Sequence, residues 1–376
     1  GGGSIIVYPL LKETSVKITD LKLHHVEWEI GTSFNWRDGI RPRGPKGTAT
    51  LLRVLTDEGI EGISPTGPGG IDLEEAKWHV VGKDPLDRER IWQDIWRALR
   101  SSKLGFAVGP IDCALWDLFG KVAGLPVYKM LGGTRTRIPA YASTYTLDTI
   151  KDYLELAEKC INNGYTGIKL HTWGRLKQDA ELCKALRKAV GDEIVLMYDA
   201  SSAFNEYDDA LWFGRRLEEC GFFWYEEPMD HFNTTALARL AAALDIPLAV
   251  AEASHGGPFD ALAQIQAGAA DMIITGPLDE YKGGITGVMK TAHICEAFSM
   301  ICAIHSGNIT SLHAACAIPN TRFFERLDPF HLRTPPGISD ASTDIDSNGT
   351  AGPWDKPGLG IEVDWDWVKK HTVREQ

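Results

Sequence analysis

The sequence predicts an α/β protein: a TIM-type (β/α) barrel carrying an N-terminal α+β capping domain that the C-terminal tail completes. Two observations lead there. From about residue 138 to 330, eight short apolar runs alternate with longer amphipathic stretches, and the runs end in polar residues able to do chemistry. The residues before 133 follow a different, meander-like pattern.

In chain order, the cap comes first. Residues 16–28 and 49–56 alternate like strands, joined by a long loop, 30–47, that carries Asn35, Trp36, Arg37, Arg41 and Arg43. Such a loop could cover a barrel mouth. Helical periodicity follows at 73–78, 85–97 and 111–125. The barrel strands are expected at 138–143, 166–171, 194–200, 222–228, 248–253, 272–277, 301–306 and 323–327. Helices such as 150–163, 178–190, 208–220 and 284–298 lie between them. The tail, 353–373, includes a strand-like 360–363 and is expected to return to the cap. The resulting division is a cap over 5–132, a barrel over 133–345 and a tail over 346–376. Residues 1–4, Gly-Gly-Gly-Ser, read as a flexible leader outside the fold.

Composition narrows the function. At 376 residues, and about 100–200 residues per domain, the chain is too long for a single small binding module. Its 44% hydrophobic and 24% charged residues suit a globular core and exclude disorder. With 51 acidic against 39 basic residues the net charge is −12, so nothing attracts phosphate backbones or anionic lipids. Nucleic acid and membrane are not expected partners. Seven cysteines without a C-x-x-C spacing read as buried thiols of a reducing compartment. No run approaches the roughly 18–20 apolar residues of a membrane span, and a cytoplasmic protein is expected.

In this barrel type, side chains at the C-terminal ends of strands face one common site. Those ends carry Lys169 and His171, Asp199, Glu226 with Glu227, Glu252, His305 and Glu325. Asp199 and Glu226 are 27 residues apart, Glu226 and Glu252 are 26 apart, and Glu252 and His305 are 53 apart, close to two such steps. One step past Glu252 falls near Asp279. Three converging carboxylates repel unless a cation neutralises them, and three oxygen ligands with positions left for water and substrate suit Mg²⁺. The plain alternative is separate acids favoured by helix N-termini. Lys169 and His171 alternate on one strand and share a face, either as site residues or as a solvated pair. His305 would be oriented by an aspartate, with Asp279 the candidate. Glu325 could donate a hydrogen bond if protonated, or pair with Arg326.

The segment 109–133 (GPIDCALWDLFGKVAGLPVYKMLGG), Trp-Tyr-Glu-Glu-Pro at 224–228, Gly-Gly-Ile-Thr at 283–286 and Pro-Gly-Leu-Gly at 357–360 resemble the enolase superfamily. More narrowly, they resemble its mandelate racemase and acid-sugar dehydratase group. The resemblance implies a modified TIM barrel under a cap, with one Mg²⁺ on Asp199, Glu226 and Glu252, and removal of the proton α to a substrate carboxylate. It places Lys169 and His171 on a Lys-x-Lys motif, with His171 as the base on one face. It places His305 on the histidine of the opposite face and Glu325 on the glutamate that hydrogen-bonds the intermediate. Three departures stand out. Ser201 replaces the asparagine of Asp-x-Asn, His171 replaces the second lysine, and 272–284 is two residues longer with Leu278 beside Pro277. The expected reaction is dehydration of a sugar acid to a 2-keto-3-deoxy acid, with Ser201, Asn35, Trp36, Arg37 and Arg43 binding substrate and Trp173 supplying a wall. A racemase, epimerase or cycloisomerase is the alternative, and an inactive sugar-acid-binding protein the second. A homo-oligomer is expected.

Overall fold

The structure, a computed structural model, describes residues 16–66, 70–99, 105, 107–327, 330, 335–339 and 343–376. The leader and the first residues of the expected cap lie outside that set. An antiparallel meander opens the fold: β1 (Ile18–Glu29), β2 (Lys46–Thr56) and β3 (Glu61–Thr66). The third strand was not expected from sequence, because Gly62 and Pro65 interrupt its pattern. Both have a local reason. Pro65 sits on an edge strand, where no neighbour needs its missing N–H. A Cβ on Gly62 would strike the Ala114 carbonyl, so β3 packs closely only as glycine.

Both faces of this sheet are covered. Ile18, Leu21, Leu23, Leu52 and Val54 pack against α1 (Leu73–Val80), α2 (Arg88–Ala98) and α3 (Val108–Ala123). Asp72 caps α1 by accepting from the Glu75 N–H, and Gly124, at φ 68°, ends α3 in the left-handed conformation that glycine adopts freely. A short α4 (Val127–Met130) leads into the barrel.

Eight parallel strands follow: β4 (Ile138–Ser143), β5 (Gly167–His171), β6 (Val195–Asp199), β7 (Tyr225–Glu226), β8 (Leu248–Val250), β9 (Met272–Thr275), β10 (Ile301–Ile304) and β11 (Phe324–Leu327). β11 pairs in parallel with β4, which closes the barrel. Between them run α5 (Ile150–Asn162), α6 (Leu176–Val190), α7 (Tyr207–Glu219), α8 (Thr234–Ala243), α9 (Gly257–Gln266), α10 (Gly284–Ala297) and α11 (Ile309–Ala317). Tyr141, Met197, Trp224, Ala249, Met272 and Ile274 fill the barrel interior, so it is a packed core and not a pore. β7 and β8 are shorter than the apolar runs around them. Their ladders stop where Glu227 (φ 42°) and Ala251 (φ 81°) leave the extended region.

Past the barrel, β12 (Ile338–Ser339) pairs with β14 (Glu362–Val363), and β13 (Thr350–Ala351) adds antiparallel to β4. A final helix, α12 (Trp365–His371), and β15 (Thr372–Glu375) bring the chain back to β1, giving the cap sheet the order β15-β1-β2-β3.

Polar side chains weld cap, barrel and tail. Asp112 accepts from the Thr286 N–H at 2.8 Å and its hydroxyl at 2.6 Å, tying α3 to α10. Asp117 accepts from the N–H groups of Ile63 and Leu359. His313, buried in α11, accepts the Tyr128 N–H on Nδ1 at 3.0 Å, which leaves its Nε2–H to donate to the Leu359 carbonyl at 3.1 Å. Only the neutral ring can make both bonds. Burial pushes this histidine down to about 4.

Between about 4 and the ordinary 6.5 the fold therefore binds fewer protons than the unfolded chain, so stability present above pH 6.5 is lost as pH falls through that window. The expected loss approaches about 3 kcal/mol. Thermal melts at pH 7 and pH 5 should show a larger drop for the parent than for His313→Gln, and equal drops would contradict the weld.

Candidate active site

Strand register assembles the site. His171 pairs with Asp199 across β5 and β6, and Asp199 pairs with Glu226 across β6 and β7, so three polar side chains stand in a row at the strand ends. Lys169, two residues before His171, lies below them. Glu252 follows the end of β8, just past the left-handed Ala251. One oxygen from each of Asp199, Glu226 and Glu252 falls within 4.8 Å of the others.

The Lys169 ammonium is buried among acids, 2.9 Å from Glu226 Oε1, 3.0 Å from Glu325 Oε1 and 3.7 Å from Asp199 Oδ2. Burial opposes its charge, but Glu226 and Glu325 outweigh burial and hold its pKa well above the ordinary value. Glu325 is likewise lowered to about 2, since Lys169 and His305 overcome its burial. It is therefore an acceptor, taking the Ser306 N–H at 2.8 Å, rather than the protonated donor considered from sequence. Arg326 does not pair with it and donates instead to the Gly307 carbonyl. Asp199 is held well below the carboxylate range by His171 and Lys169 in spite of burial. It accepts from the Ser201 N–H at 2.7 Å and lies 2.9 Å from His171 Nε2.

Glu226 is the opposite case. Complete burial, with Asp199, Glu252 and Glu325 nearby, pushes its carboxyl well above the usual range, although Lys169 and the Trp224 indole N–H both bond to it. Glu252 Oε2 is buried without a partner. A crowded acid that resists ionisation and an orphaned carboxylate oxygen fit a divalent cation among all three, since it would satisfy both.

On the other flank, His305 Nδ1 lies 2.8 Å from Asp279 Oδ1, and its Nε2 is 3.5 Å from Glu252. Asp279 and Glu252 raise His305 well above the ordinary histidine value against the effect of burial. The 272–284 segment folds back on itself, with the Asp279 N–H on the Gly276 carbonyl, and this return sets the aspartate beside the histidine. His171 is fixed differently: its Nδ1–H donates to the Thr144 carbonyl at 2.8 Å, and its Nε2 turns to the site, 2.9 Å from Asp199 Oδ2.

Of these groups, His171, Asp199, Glu252, Asp279, His305 and Glu325 line a cavity of about 790 Å³ under the cap, and Lys169 and Glu226 are buried behind them. Of the expected substrate contacts, Trp36, Arg43 and Ser201 line it, with the Trp36 ring 4.9 Å from that of His171. Asn35 and Arg37 do not. The Asn35 side chain accepts the Trp36 N–H, and Arg37 Nε donates to the Ser201 carbonyl at 2.8 Å, so both hold the loop in place. An Asp38–Arg175 ion pair of 2.6 Å fastens the same loop. Trp173 is buried, its indole N–H on the Leu147 carbonyl.

Sequence reasoning passed over His25, Glu27, Thr48 and Thr50, which form the cap wall of the cavity. The signal existed in their period of two: His25 and Glu27 share one face of β1 and pair with Thr50 and Thr48 of β2. Glu227 also lines the cavity, and burial beside Glu252 and Asp199 raises it to about 8. All seven cysteines are free thiols. Among the described residues, no helix is long and apolar enough to cross a membrane.

The same architecture recurs in known proteins. Residues 152–367 match the family model of enolase C-terminal domain-like proteins, and residues 44–132 match that of the mandelate racemase / muconate lactonizing enzyme N-terminal domain. Arabinonate dehydratase of Saccharolobus solfataricus is 30% identical over 288 residues, 73% of this chain and 75% of that protein. D-galactarolactone cycloisomerase of Agrobacterium fabrum is 28% identical over 385 residues, 93% of this chain and 97% of its own. The crystal structure of D-glucarate dehydratase from Agrobacterium tumefaciens, complexed with magnesium, superposes with a TM-score of 0.86 at 35% identity, covering 95% of this chain and 99% of that one. The barrel, the cap and both family matches make this chain a member of the enolase superfamily, with an N-terminal domain of the mandelate racemase / muconate lactonizing enzyme type.

Proposed function

We propose that the protein is a Mg²⁺-dependent acid-sugar dehydratase, which removes the proton α to a carboxylate and eliminates the 3-hydroxyl as water. The observation that carries this reading is the placement of two differently held histidines, His171 and His305, on either side of one buried carboxylate cluster. Binding alone has no use for two proton-transfer groups.

Mg²⁺ bound by Asp199, Glu226 and Glu252 would supply fixed positive charge for the substrate carboxylate, which makes the adjacent C–H acidic enough for a side-chain base. Lys169 adds a second, buried positive charge to the same region. In our reading His171 takes the α proton on Nε2, the nitrogen beside Asp199 Oδ2, which is open to it once that carboxylate serves the cation in place of the ring; its Nδ1–H stays on the Thr144 carbonyl. His305, kept protonated by Asp279 and Glu252, gives the Nε2 proton to the 3-hydroxyl as the C3–O bond breaks. The enol left behind tautomerises to a 2-keto-3-deoxy acid. Trp36 closes over His171 and excludes water. The hydroxyl-rich cap wall and Arg43 suit a polyol chain. The cycloisomerase relative, matched over most of the chain, supports a second reading in which an internal oxygen is the leaving group.

Proton NMR of the Mg²⁺-loaded protein in D₂O with aldonic, uronic and aldaric acids should show loss of an α-proton signal and a new deoxy-methylene. Exchange without a new product would replace dehydration by epimerisation. Glu226→Gln should weaken metal binding by more than about tenfold and abolish turnover while the protein still melts cooperatively. Full activity in that variant would remove the metal assignment. Asp279→Asn should lower kcat by about 10- to 100-fold. Because Asp279 raises His305, its loss should also move the alkaline limb of the kcat/KM profile to lower pH. An unchanged profile would take Asp279 out of the mechanism.

A further inference from the structure

Lys282 lies at the start of the turn into α10 and is 2% exposed. Its ammonium has three N–H donors, and three acceptors on one turn take them: the Ala251 carbonyl, the Ser254 carbonyl at 2.7 Å and the Ser254 hydroxyl at 2.9 Å. All three are uncharged. Among the described residues no carboxylate lies within hydrogen-bond reach of it, and a buried ammonium so placed is an expensive way to brace a loop, since an apolar side chain would fill the same space.

The turn it grips is the one that delivers Glu252. Ala251, immediately before Glu252, is held at φ 81°, a left-handed conformation that alanine rarely adopts and that persists only when its surroundings impose it. The Ser254 hydroxyl also donates to the Ala251 carbonyl, so two groups restrain one strained peptide. On the far side, the Glu252 N–H donates to Glu227 Oε1 at 3.0 Å. The Lys282 backbone N–H meanwhile closes a turn on the Asp279 carbonyl at 3.2 Å. One residue thus joins the turn carrying Glu252 to the turn carrying the His305 partner.

We propose that Lys282 is a positioning residue for Glu252: it locks residues 251–254 in the strained conformation that points this carboxylate at Asp199 and Glu226, and registers that turn against the one bearing Asp279. The proposal rests on the reading of Asp199, Glu226 and Glu252 as a metal site.

The test is Mn²⁺ binding to the full chain, followed by electron paramagnetic resonance of the free ion, so that no substrate or turnover is involved. Lys282→Met should weaken Mn²⁺ binding by about tenfold or more. Adding Ala251→Gly, which accepts the same φ without strain, should restore most of that affinity in the double variant, an effect that a packing role alone would not produce. Affinity of Lys282→Met equal to the parent's, or no recovery in the double variant, overturns the proposal. If Lys282→Met fails to fold, Ser254→Ala, which removes one acceptor and one restraint on Ala251, decides it: weaker Mn²⁺ binding supports the proposal and unchanged binding overturns it. A parent protein that binds no Mn²⁺, and so matches Glu226→Gln, overturns the metal reading itself and this proposal with it.

Discussion

The buried ammonium of Lys169 sets the terms for everything around it. One positive charge faces Glu226, Glu325 and Asp199 in a water-excluded barrel floor, where ionic interactions are far stronger than in solvent. Remove it and the acids would have to be protonated or move apart. Yet one cation does not balance the acids gathered there once Glu252 is counted, and the shortfall shows in Glu226, whose ionisation burial and its neighbours oppose. Four carboxylates against one ammonium leave the cluster short of positive charge by more than one unit. That deficit, more than any single ligand, is the physical case for a divalent cation.

Holding such a cluster requires backbone that ordinary strands do not provide. Ser201, Ser202, Glu227, Ala251 and Ser306 all have positive φ, and each follows the C-terminal end of a barrel strand. These are non-glycine residues in a disfavoured region, typically unfavourable by about 1–3 kcal/mol each. They turn the chain sharply at the mouth, so that carboxylates next to strands point across it instead of along it. The barrel core of Tyr141, Met197, Trp224 and their neighbours offsets this strain, and the welds through Asp112, Asp117 and His313 keep the cap seated above it.

Much of this was legible in the sequence, because the β/α unit repeats at a near-constant length. Asp199, Glu226 and Glu252 stand one unit apart, so equal spacing translated directly into adjacency. The same count reached Asp279, which lies in the turn past β9 and not in the strand itself. What spacing cannot supply is direction within a loop. Asn35 and Arg37 look like substrate contacts by type, yet the loop uses them to fasten itself. The state of Glu325 was equally hidden, because it depends on Lys169, far away in sequence and 3.0 Å away in space. Lys282 gave no signal at all, since its partners are backbone carbonyls and a serine.

The return of β15 to the cap sheet carries a consequence for how the protein is made. β1 pairs on one side with β2, close by in sequence, and on the other with a strand separated from it by nearly the whole chain, as the His25–Gln376 contact across 351 positions illustrates. During synthesis the meander can form early, but one edge of β1 stays open until the barrel beneath it has been completed. An open edge is a template for other chains, and pairings of this sequence separation form slowly. Val373, which the last strand places against the cavity, arrives with that pairing. The Val373 edge of the cavity therefore forms after the rest of its wall, and a chain halted before that pairing would leave β1 with an open edge ready to aggregate.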